Sequence, residues 1–276
     1  MAFSDLVASA AFDVLLCDAD GNLFPSEEPA FVASAVVTNA MLRSLGVPAA
    51  YAAEELRLAT TGKNFRSTAL ALCARHGVQI HADIEPSMSV AAGTGGSGAM
   101  SAQDSRPVLT SEALEVWVAH EAEVVTEHLA KSLEPDPAVS IPLAHLAERY
   151  RLAAVSSSAL PRLRACFEAT ALDGFFPTDV TFSAEDSLPV PAGKPDPAIY
   201  RLAGERMGCT GAQSRALAIE DSVPGVQSAV GAGFLTVGNL QFVPKEERLD
   251  RTASLLDAGA CAVTESWSEL VEQLHL

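Results

Sequence analysis

The stretch Val14–Gly21 consists of Val-Leu-Leu-Cys-Asp-Ala-Asp-Gly, an apolar run that ends in two carboxylates and a glycine. Four consecutive apolar residues predict a short strand that is buried on both faces of a sheet. Carboxylates next to a buried strand cost free energy unless they are paired or bind a ligand. Asp18 and Asp20 therefore indicate a functional loop at the end of this strand. For an isolated Asp-x-Asp, the alternative is a solvated acidic turn or a helix cap.

The composition indicates a folded protein and excludes some classes of partner. Its 276 residues are enough for one large domain or two unequal ones, and a hydrophobic content of 49% allows a sizeable core. The formal net charge of −17 argues against nucleic acid and anionic membranes as partners. If the substrate is a phosphate ester, this negative charge repels it. The site then requires local cations, namely a metal ion and at least one buried lysine.

The N-terminus and the cysteines favour a cytoplasmic protein. No apolar run is long enough to span a bilayer, and Met1–Asp5 lacks the basic region and apolar stretch of a secretory signal. The cysteines are odd in number and none has the spacing of a metal ligand pair: Cys17, Cys73, Cys166, Cys209 and Cys261. Reduced thiols are therefore expected. The sequence carries no signal that defines an oligomeric state.

From residue 151 onward, short apolar runs alternate with stretches of helical character. Strands are predicted at residues 152–155, 180–182, 216–219, 235–237 and 260–263. Helices are predicted at 161–170, from Asp196 as N-cap with Pro197 as the first helical residue, from Pro224, and after a capping box at Ser266 and Glu269. This alternation predicts an α/β fold with a Rossmann-like doubly wound parallel sheet, whose ligands bind beyond the carboxyl ends of the strands.

The region from residue 26 to residue 134 has helical rather than strand patterns. Helices are predicted at residues 29–45, 49–59 and 64–76 and in a long segment after Ser111. We therefore expect residues 1–25 and 135–276 to form the sheet core and residues 26–134 to form an inserted α-helical domain. Within the insert, residues 85–107 are rich in Gly, Ser and Ala, which predicts a flexible excursion.

Four polar clusters carry the chemical signal. They are Asp18 with Asp20, Ser156 at the end of a strand, Lys194 in a Gly-Lys-Pro-Asp-Pro loop, and the pair Glu220-Asp221. In this order they resemble the four motifs of the haloacid dehalogenase-like hydrolase superfamily, and most of all its branch of phosphatases and β-phosphoglucomutases. The resemblance covers the sheet core, and the helical insert has the size and position of that family's helical cap domain.

The resemblance implies catalytic roles for the two aspartates of the first cluster. Asp18 matches the nucleophile, which attacks phosphorus and forms an aspartyl-phosphate. Asp20 matches the general acid and base, which protonates the leaving alkoxide and later activates water. Crowding by neighbouring carboxylates predicts a raised pKa for Asp20, which would suit the acid role. Positions 25 and 26 are Pro-Ser in this chain, whereas many relatives have Asp-Thr there. This difference bears on how the chemistry of Asp20 is controlled.

The acidic residues also predict a metal ion. Four carboxylates brought together, those of Asp18, Asp20, Glu220 and Asp221, repel one another unless a cation neutralises them, and oxygen ligands suit Mg²⁺. The resemblance implies that the ligands are the Asp18 carboxylate, the Asp20 backbone carbonyl and Asp221. Glu220 would bind the ion directly or act through a neighbouring group. For Glu220-Asp221 alone, the alternative is a helix N-terminus lined with acids.

Ser156, Ser157 and Lys194 are the candidates for phosphate binding. Hydroxyls and backbone N–H groups at the start of a helix are placed to hold phosphoryl oxygens. Ser157 and Ser158 are equally suited as helix caps, and only the resemblance selects Ser156. Lys194 would stabilise negative charge on Asp18 and on the phosphoryl group, whereas the alternative is a solvated lysine in a loop.

The insert carries candidates for substrate selection. Gly62, Lys63 and Arg66 resemble the substrate-specificity loop of capped relatives, where a cation contacts the non-reacting part of the substrate. The alternative is the start of a helix with solvated charges.

Together these residues predict a Mg²⁺-dependent phosphatase that acts on a small phosphorylated sugar, sugar acid or polyol through an aspartyl-phosphate. Asp20 argues against a haloacid dehalogenase, which usually lacks the second aspartate, and against a phosphonatase, which typically lacks the acid/base residue. A sugar phosphomutase of the β-phosphoglucomutase type is the alternative, since Lys63 and Arg66 are suited to hold a second phosphate. A non-catalytic relative that binds an anion is a further alternative.

Overall fold

The computed structural model describes residues 12–60, 64–84, 108–209 and 215–274, and these residues form two compact units. The sheet unit contains the residues up to Glu27 together with Leu129–Leu276, and the helical unit contains Glu28–His128. The sequence predicted divisions at 25/26 and 134/135. The observed divisions lie at 27/28 and 128/129, inside the helices that begin and end the helical unit. Each of these two helices therefore contributes residues to both units.

The sheet unit is built on six parallel strands. The strands of the described residues are β1 (Val14–Cys17), β2 (Gln79–Ile80), β3 (Val108–Leu109), β4 (Arg151–Ser156), β5 (Thr181–Ser183), β6 (Ala216–Glu220), β7 (Leu235–Asn239) and β8 (Ala262–Thr264). The order of the six in the sheet is β5-β4-β1-β6-β7-β8, and all neighbours are parallel. The prediction of a Rossmann-like doubly wound α/β fold is confirmed.

The strand order places a switch point between β1 and β6. From β1 the chain adds β4 and then β5 on one side, and it returns to add β6, β7 and β8 on the other side. Ligands of open parallel sheets bind where this reversal occurs, outside the carboxyl ends of the strands. The residues that directly follow β1 and β6 are therefore the first place to look for a site.

The helices lie largely where the sequence predicted them. They are α1 (Glu27–Ser44), α2 (Ala53–Thr60), α3 (Phe65–Arg75), α4 (Ser111–Ser132), α5 (Pro137–Ala147), α6 (Leu160–Thr170), α7 (Ala198–Arg206), α8 (Val223–Gly231), α9 (Arg248–Asp257) and α10 (Trp267–Gln273). The sequence did not predict α5, whose interior contains Pro142, or α9, which follows a polar turn. Within the described residues, no helix is both long enough and apolar enough to cross a bilayer.

Capping explains where several helices begin. The Ser266 hydroxyl accepts a hydrogen bond from the Glu269 N–H at 3.2 Å, which is one half of the predicted capping box. The Glu269 carboxylate accepts from the Glu265 N–H at 2.6 Å rather than from the N–H of Ser266. The prediction of Asp196 as the N-cap of α7 is wrong by one residue. Pro197 occupies that position, and the Asp196 carboxylate accepts from the Ala198 N–H at 2.8 Å.

Each unit has its own core. Every side chain of β1 is inaccessible to solvent, so this strand is buried on both faces as its apolar run predicted. On one face, Val14 and Leu16 pack in a cluster with Ile199, Tyr200 and other residues of α7. The helical unit has a separate core that includes Met41, Leu42, Leu56, Leu72, Leu109 and Leu114. The rigid central strand fixes the position of the loop that follows it.

The helical unit also contains a short parallel pair that the sequence did not predict. Gln79 pairs with Val108 and Ile80 with Leu109. The predicted flexible excursion at residues 85–107 lies outside the described residues.

Candidate active site

Three carboxylates meet at the switch point of the sheet. Asp18 directly follows β1, and its N–H donates a 2.9 Å hydrogen bond to the Ile219 carbonyl of β6. Glu220 ends β6, and Asp221 follows it. One carboxylate oxygen from each of the three acids lies within 4.8 Å of the others, and all three side chains are buried. The sheet therefore brings together residues that are about two hundred positions apart in the chain.

The acidic cluster has the properties of a metal site. Burial raises the pKa of Asp18 to about 8, despite the opposing charge of Lys194, and Glu220 adds to the rise. Burial, followed by the charges of Asp18 and Glu220, also raises the pKa of Asp221 well above its ordinary value. Among the described residues, Glu220 Oε2 is buried without a hydrogen-bond partner. Crowded carboxylate oxygens with an unsatisfied acceptor fit a hard divalent cation.

Two glycines make room for these acids. A Cβ atom at Gly21, which has φ +78°, would lie 2.4 Å from Asp221 Oδ2. A Cβ atom at Gly225 would lie 1.7 Å from Glu220 Oε2. Any side chain at either position would displace a carboxylate of the cluster, so the glycines are part of the site's architecture.

Lys194 supplies a buried positive charge to the cluster. Its Nζ donates to Asp18 Oδ1, to Glu220 Oε1 at 2.6 Å and to the Val155 carbonyl at 2.8 Å. Burial lowers the pKa of Lys194, but the neighbouring charges of Asp18 and Glu220 outweigh this effect and leave it raised. The ammonium is therefore charged, as a site that binds an anion in an acidic protein requires.

Two hydroxyl groups support the residues of this ion-pair network. The Tyr200 hydroxyl donates to Glu220 Oε1 at 2.5 Å. The Ser157 hydroxyl accepts from the Lys194 N–H at 3.1 Å and so anchors the loop that carries the lysine. Ser157 itself is exposed.

The Asp20 carboxylate is directed away from the three-acid cluster and into a set of donors. Oδ1 accepts from the Ser26 hydroxyl at 2.6 Å and from Arg162 Nη2 at 2.8 Å. Oδ2 accepts from the Ser158 hydroxyl at 2.8 Å and from the Ser156 hydroxyl at 3.3 Å. The expected cluster of four carboxylates is thus one of three, with Asp20 beside it.

The prediction of a raised pKa for Asp20 is wrong. Burial raises the pKa of this carboxyl, but the Arg162 guanidinium and the hydroxyls of Ser26 and Ser158 outweigh burial and lower it. Sequence reasoning considered only the neighbouring acids. It missed Arg162, which lies 142 positions away in the chain, in the first turn of α6.

The structure gives Ser156, Ser157 and Ser158 distinct contacts, which the sequence alone could not assign. Ser156 is buried and its hydroxyl bonds to Asp20, Ser158 also bonds to Asp20, and Ser157 supports Lys194. The Ser156 hydroxyl additionally accepts from the Ser158 N–H at 3.0 Å. All three therefore contact site residues, and none of them serves as the N-cap of α6, which is Ala159.

A buried amide network supports the Asp18 loop from behind. Asn22 Nδ2 donates to the Asp18 carbonyl at 2.9 Å and to the Ile219 carbonyl at 3.2 Å. Asn239 Nδ2 donates to Asn22 Oδ1 at 2.8 Å, and Trp267 Nε1 donates to the Asn22 carbonyl at 2.8 Å. Sequence reasoning missed Asn22 and Asn239, although Asn239 is the last residue of β7 and fits the pattern of polar residues at strand ends. The Trp267 indole is fully buried.

Of the three predicted substrate residues of the insert, the structure describes Arg66. Arg66 Nη2 bonds to Glu115 at 2.5 Å, so its charge is paired within the helical unit. Gly62 and Lys63 lie outside the described residues.

The family model of haloacid dehalogenase-like hydrolases matches residues 12–233, and the chain belongs to this family. The protein CbbY of Cereibacter sphaeroides is 36% identical over 114 residues, which span 40% of this chain and 46% of that protein. The chain thus matches about half the length of this curated relative.

Solved structures share the fold over nearly the whole chain. A putative β-phosphoglucomutase from Thermotoga maritima has a TM-score of 0.62 at 22% identity, covering 96% of this chain and 99% of that one. A CbbY variant from Rhodobacter sphaeroides, in complex with xylulose-(1,5)bisphosphate, has a TM-score of 0.61 at 25% identity, covering 96% and 100%. At these identities the structures support the fold.

Proposed function

We propose that the chain is a Mg²⁺-dependent phosphatase that hydrolyses a small phosphorylated sugar, sugar acid or polyol through an aspartyl-phosphate on Asp18. The observation that carries this proposal is the buried ammonium of Lys194 between Asp18 and Glu220, beside a three-acid cluster. A nucleophilic carboxylate, a fixed cation and a set of metal ligands are the parts that phosphoryl transfer by an aspartate requires.

The residues that would hold Mg²⁺ are the carboxylates of Asp18 and Asp221 and the backbone carbonyl of Asp20. Oε1 of Glu220 already accepts from Lys194 and Tyr200, which leaves Oε2 as the atom of this residue that can face the ion. When bound, the ion would offset the repulsion among these acids and the negative charge of the phosphoryl group.

In the first half of the reaction, an Asp18 carboxylate oxygen forms a bond to phosphorus. The bond between phosphorus and the ester oxygen breaks, and the leaving oxygen keeps the electron pair and takes a proton from Asp20. Lys194 stabilises the charge on the transferring group. Ser156 and Ser157, with backbone N–H groups before α6, are the proposed contacts of the phosphoryl oxygens.

In the second half, water attacks phosphorus and releases Asp18 as inorganic phosphate forms. The water passes its proton to the Asp20 carboxylate, and the bond between phosphorus and the Asp18 oxygen breaks. The lowered pKa of Asp20 suits this half, because the group is then a carboxylate that can accept a proton.

We propose the helical unit as the cap that selects the substrate, with Gly62, Lys63 and Arg66 as its candidate contacts. The release of Arg66 from Glu115 would be required before its guanidinium could bind a phosphate or a carboxylate. The ion pair is solvent-exposed and therefore costs little to break.

A sugar phosphomutase is the second candidate, because one structural neighbour carries the name of a putative β-phosphoglucomutase. The two functions differ in their product. A phosphatase releases inorganic phosphate, whereas a mutase returns the phosphoryl group to another oxygen of the sugar.

The test is an assay of the purified chain with p-nitrophenyl phosphate and a panel of phosphorylated metabolites, with Mg²⁺ and with EDTA. We expect release of inorganic phosphate that EDTA and Asp18→Asn each abolish, while Asp257→Asn, an exposed acid at the end of α9, changes nothing. Isomerisation of a sugar phosphate without phosphate release would favour the mutase. Inactivity across the whole panel would favour a non-catalytic anion-binding relative.

A further inference from the structure

A hydrogen bond connects helix α9 to the loop that carries Asp221. Arg251, near the start of α9, donates from Nη1 to the backbone carbonyl of Asp221 at 2.9 Å. The proposed mechanism uses only the carboxylate of Asp221, which belongs to the three-acid cluster, and gives its carbonyl no role. The guanidinium therefore touches a proposed metal ligand at its backbone, on an atom that takes no part in the chemistry.

Asp221 is the single residue between the end of a strand and the cap of a helix. β6 ends at Glu220, and Ser222 is the N-cap of α8. Glu220 is held by its pairing with Gly238 of β7, and Ser222 is held by the capping bond of its hydroxyl. The bond from Arg251 holds the peptide group between these two fixed points.

The packing of α9 keeps Arg251 within reach of this peptide. Leu255 lies four residues further on, on the same face of the helix, and its side chain is fully buried. It lies so close to β7 that a Cβ atom at Gly238 would be 2.9 Å from Leu255 Cδ1. Because Gly238 is also the strand neighbour of Glu220, α9 is anchored beside the end of β6.

The position of the Asp221 carboxylate is critical for a metal ion. One of its oxygens lies within 4.8 Å of the ligand oxygens of Asp18 and Glu220, and a Cβ atom at Gly21 would be 2.4 Å from its Oδ2. Mg²⁺ requires nearly ideal octahedral geometry, so a small rotation of the Asp221 peptide would misplace one ligand. Removal of a group that orients a metal ligand through a hydrogen bond typically lowers metal affinity about 10- to 100-fold.

We propose that Arg251 is a positioning residue for metal binding, which fixes the Asp221 peptide and thereby keeps the Asp221 carboxylate in the three-acid cluster. The inference rests on the proposed Mg²⁺-dependent function. It gives α9, a helix that contributes no ligand, a specific role in the metal affinity of the site.

The charge of Arg251 by itself would have a different effect on metal binding. Burial and the charges of Asp18 and Glu220 raise the pKa of Asp221, and the charge of Arg251 opposes this rise, so the guanidinium acts on the cluster electrostatically. Binding of Mg²⁺ in exchange for one or two protons does not make the site more negative. Loss of a nearby cation therefore leaves the affinity unchanged or increases it, whereas loss of positioning decreases it.

The experiment measures Mn²⁺ and Mg²⁺ binding to the chain without substrate. The electron paramagnetic resonance signal of free Mn²⁺ gives its Kd, and competition gives the Kd of Mg²⁺. The variants are Arg251→Met and Arg251→Gln, which lose the guanidinium donor and the charge. Arg248→Met is the matched control, because Arg248 lies on the same helix and donates to a different backbone carbonyl, that of Val243, at 3.1 Å. Asp221→Asn identifies the ion that is bound at the cluster.

In both Arg251 variants we expect the Kd of Mg²⁺ to rise about 10- to 100-fold, with circular dichroism showing a folded chain. Arg248→Met should keep the Kd within about twofold of the wild type, because its bond does not reach a metal ligand. If Arg251→Met does not fold, Arg251→Gln decides the matter.

Two results would overturn the inference. The first is binding in the folded Arg251 variants that equals or exceeds that of the wild type, as a charge effect alone would give. The second is an equal loss of affinity in Arg248→Met, which would assign the effect to the general stability of α9. Metal binding that Asp221→Asn leaves unchanged would instead refute the metal site of the proposed function.

Discussion

The Lys194 ammonium lies 2.6 Å from Glu220 Oε1, and both side chains are almost entirely buried. The same Nζ atom also bonds to Asp18, so a single cation joins the acid that ends β6 to the acid that follows β1. Removal of the shared cation leaves both carboxylates buried without compensation, which is strongly destabilising. The same three side chains therefore determine both the stability of the site and its proposed chemistry.

Removal of the Lys194 charge should impair both folding and turnover. Lys194→Met leaves Asp18 and Glu220 buried and repelling each other, so we expect a loss of about 3–5 kcal/mol in the free energy of unfolding. The measurement is urea denaturation together with kcat/KM for p-nitrophenyl phosphate. Lys245→Met, in an exposed turn, is the control and should alter neither quantity. Wild-type turnover in Lys194→Met would exclude the lysine from the mechanism.

The metal-free protein should lose stability as the pH rises. The pKa of Asp18 is raised to about 8 in the folded chain, and that of Asp221 is also raised, above ordinary values near 3.8. A raised acid pKa means that the folded state holds the proton more tightly than the unfolded state. The resulting stabilisation is complete below pH about 4 and disappears as the pH passes through 8.

Thermal melting at pH 5 to 9, in EDTA and in excess Mg²⁺, measures this effect. In EDTA we expect the melting temperature to fall with rising pH, and Mg²⁺ should remove most of the fall because it binds the ionised acids. Asp18→Asn in EDTA should show a shallower dependence than the wild type. Identical pH profiles with and without Mg²⁺ would contradict the presence of a metal site at these acids.

Gly225→Ala should disturb the site through sterics alone. The new Cβ would lie 1.7 Å from Glu220 Oε2, so Glu220 must move and Lys194 loses a partner. We expect a loss of about 1–3 kcal/mol, typical of overpacking, and a fall in kcat. The matched control is Gly174→Ala, where nothing lies within 4 Å of the added atom. Equal effects of the two substitutions, measured by denaturation and turnover, would show that Glu220 tolerates displacement.

Asn22→Ala should destabilise the loop that carries Asp18. The substitution removes the side-chain donor of the Asp18 carbonyl, at about 1–3 kcal/mol for a buried group left unpaired, whereas the Ile219 carbonyl keeps its bond from the Asp18 N–H. Asn239→Ala keeps both bonds of Asn22 Nδ2. It removes the donor to Asn22 Oδ1 and the acceptor of the Gln241 N–H, two hydrogen bonds against the three that Asn22→Ala removes, so its cost should be smaller. Urea denaturation measures both variants, and the reverse order of stabilities would remove Asn22 from the centre of this network.

The sequence was sufficient for features that depend on local pattern. The apolar run of β1 and the acids after it are adjacent in the chain, so the strand and the loop could be predicted without knowing what surrounds them. The strand ends after β4 and β6 were predictable in the same way, and the parallel sheet then places their polar residues at one edge.

Features that depend on side-chain direction could not be predicted. The sequence placed Asp20 among the acids, whereas its carboxylate turns to Arg162 and three serines. An arginine in the first turn of α6 has no local reason to be there, and its partner is 142 positions away. The pKa of Asp20 is therefore lowered rather than raised, through the charge of Arg162 and the hydrogen bonds from Ser26 and Ser158.

The most direct measurement of the central claim is mass spectrometry of the peptide that contains Asp18 after rapid acid quench of Asp20→Asn mixed with substrate and Mg²⁺. This variant lacks both the acid of the first half and the base of the second half. With p-nitrophenyl phosphate as the substrate, whose leaving oxygen needs no proton, turnover should fall about 10²–10⁴-fold and the phosphoenzyme should accumulate. We expect a phosphoryl group on Asp18 in this variant and none in Asp18→Asn. Turnover without any covalent phosphate on Asp18, or phosphate on another residue, would contradict the proposed mechanism.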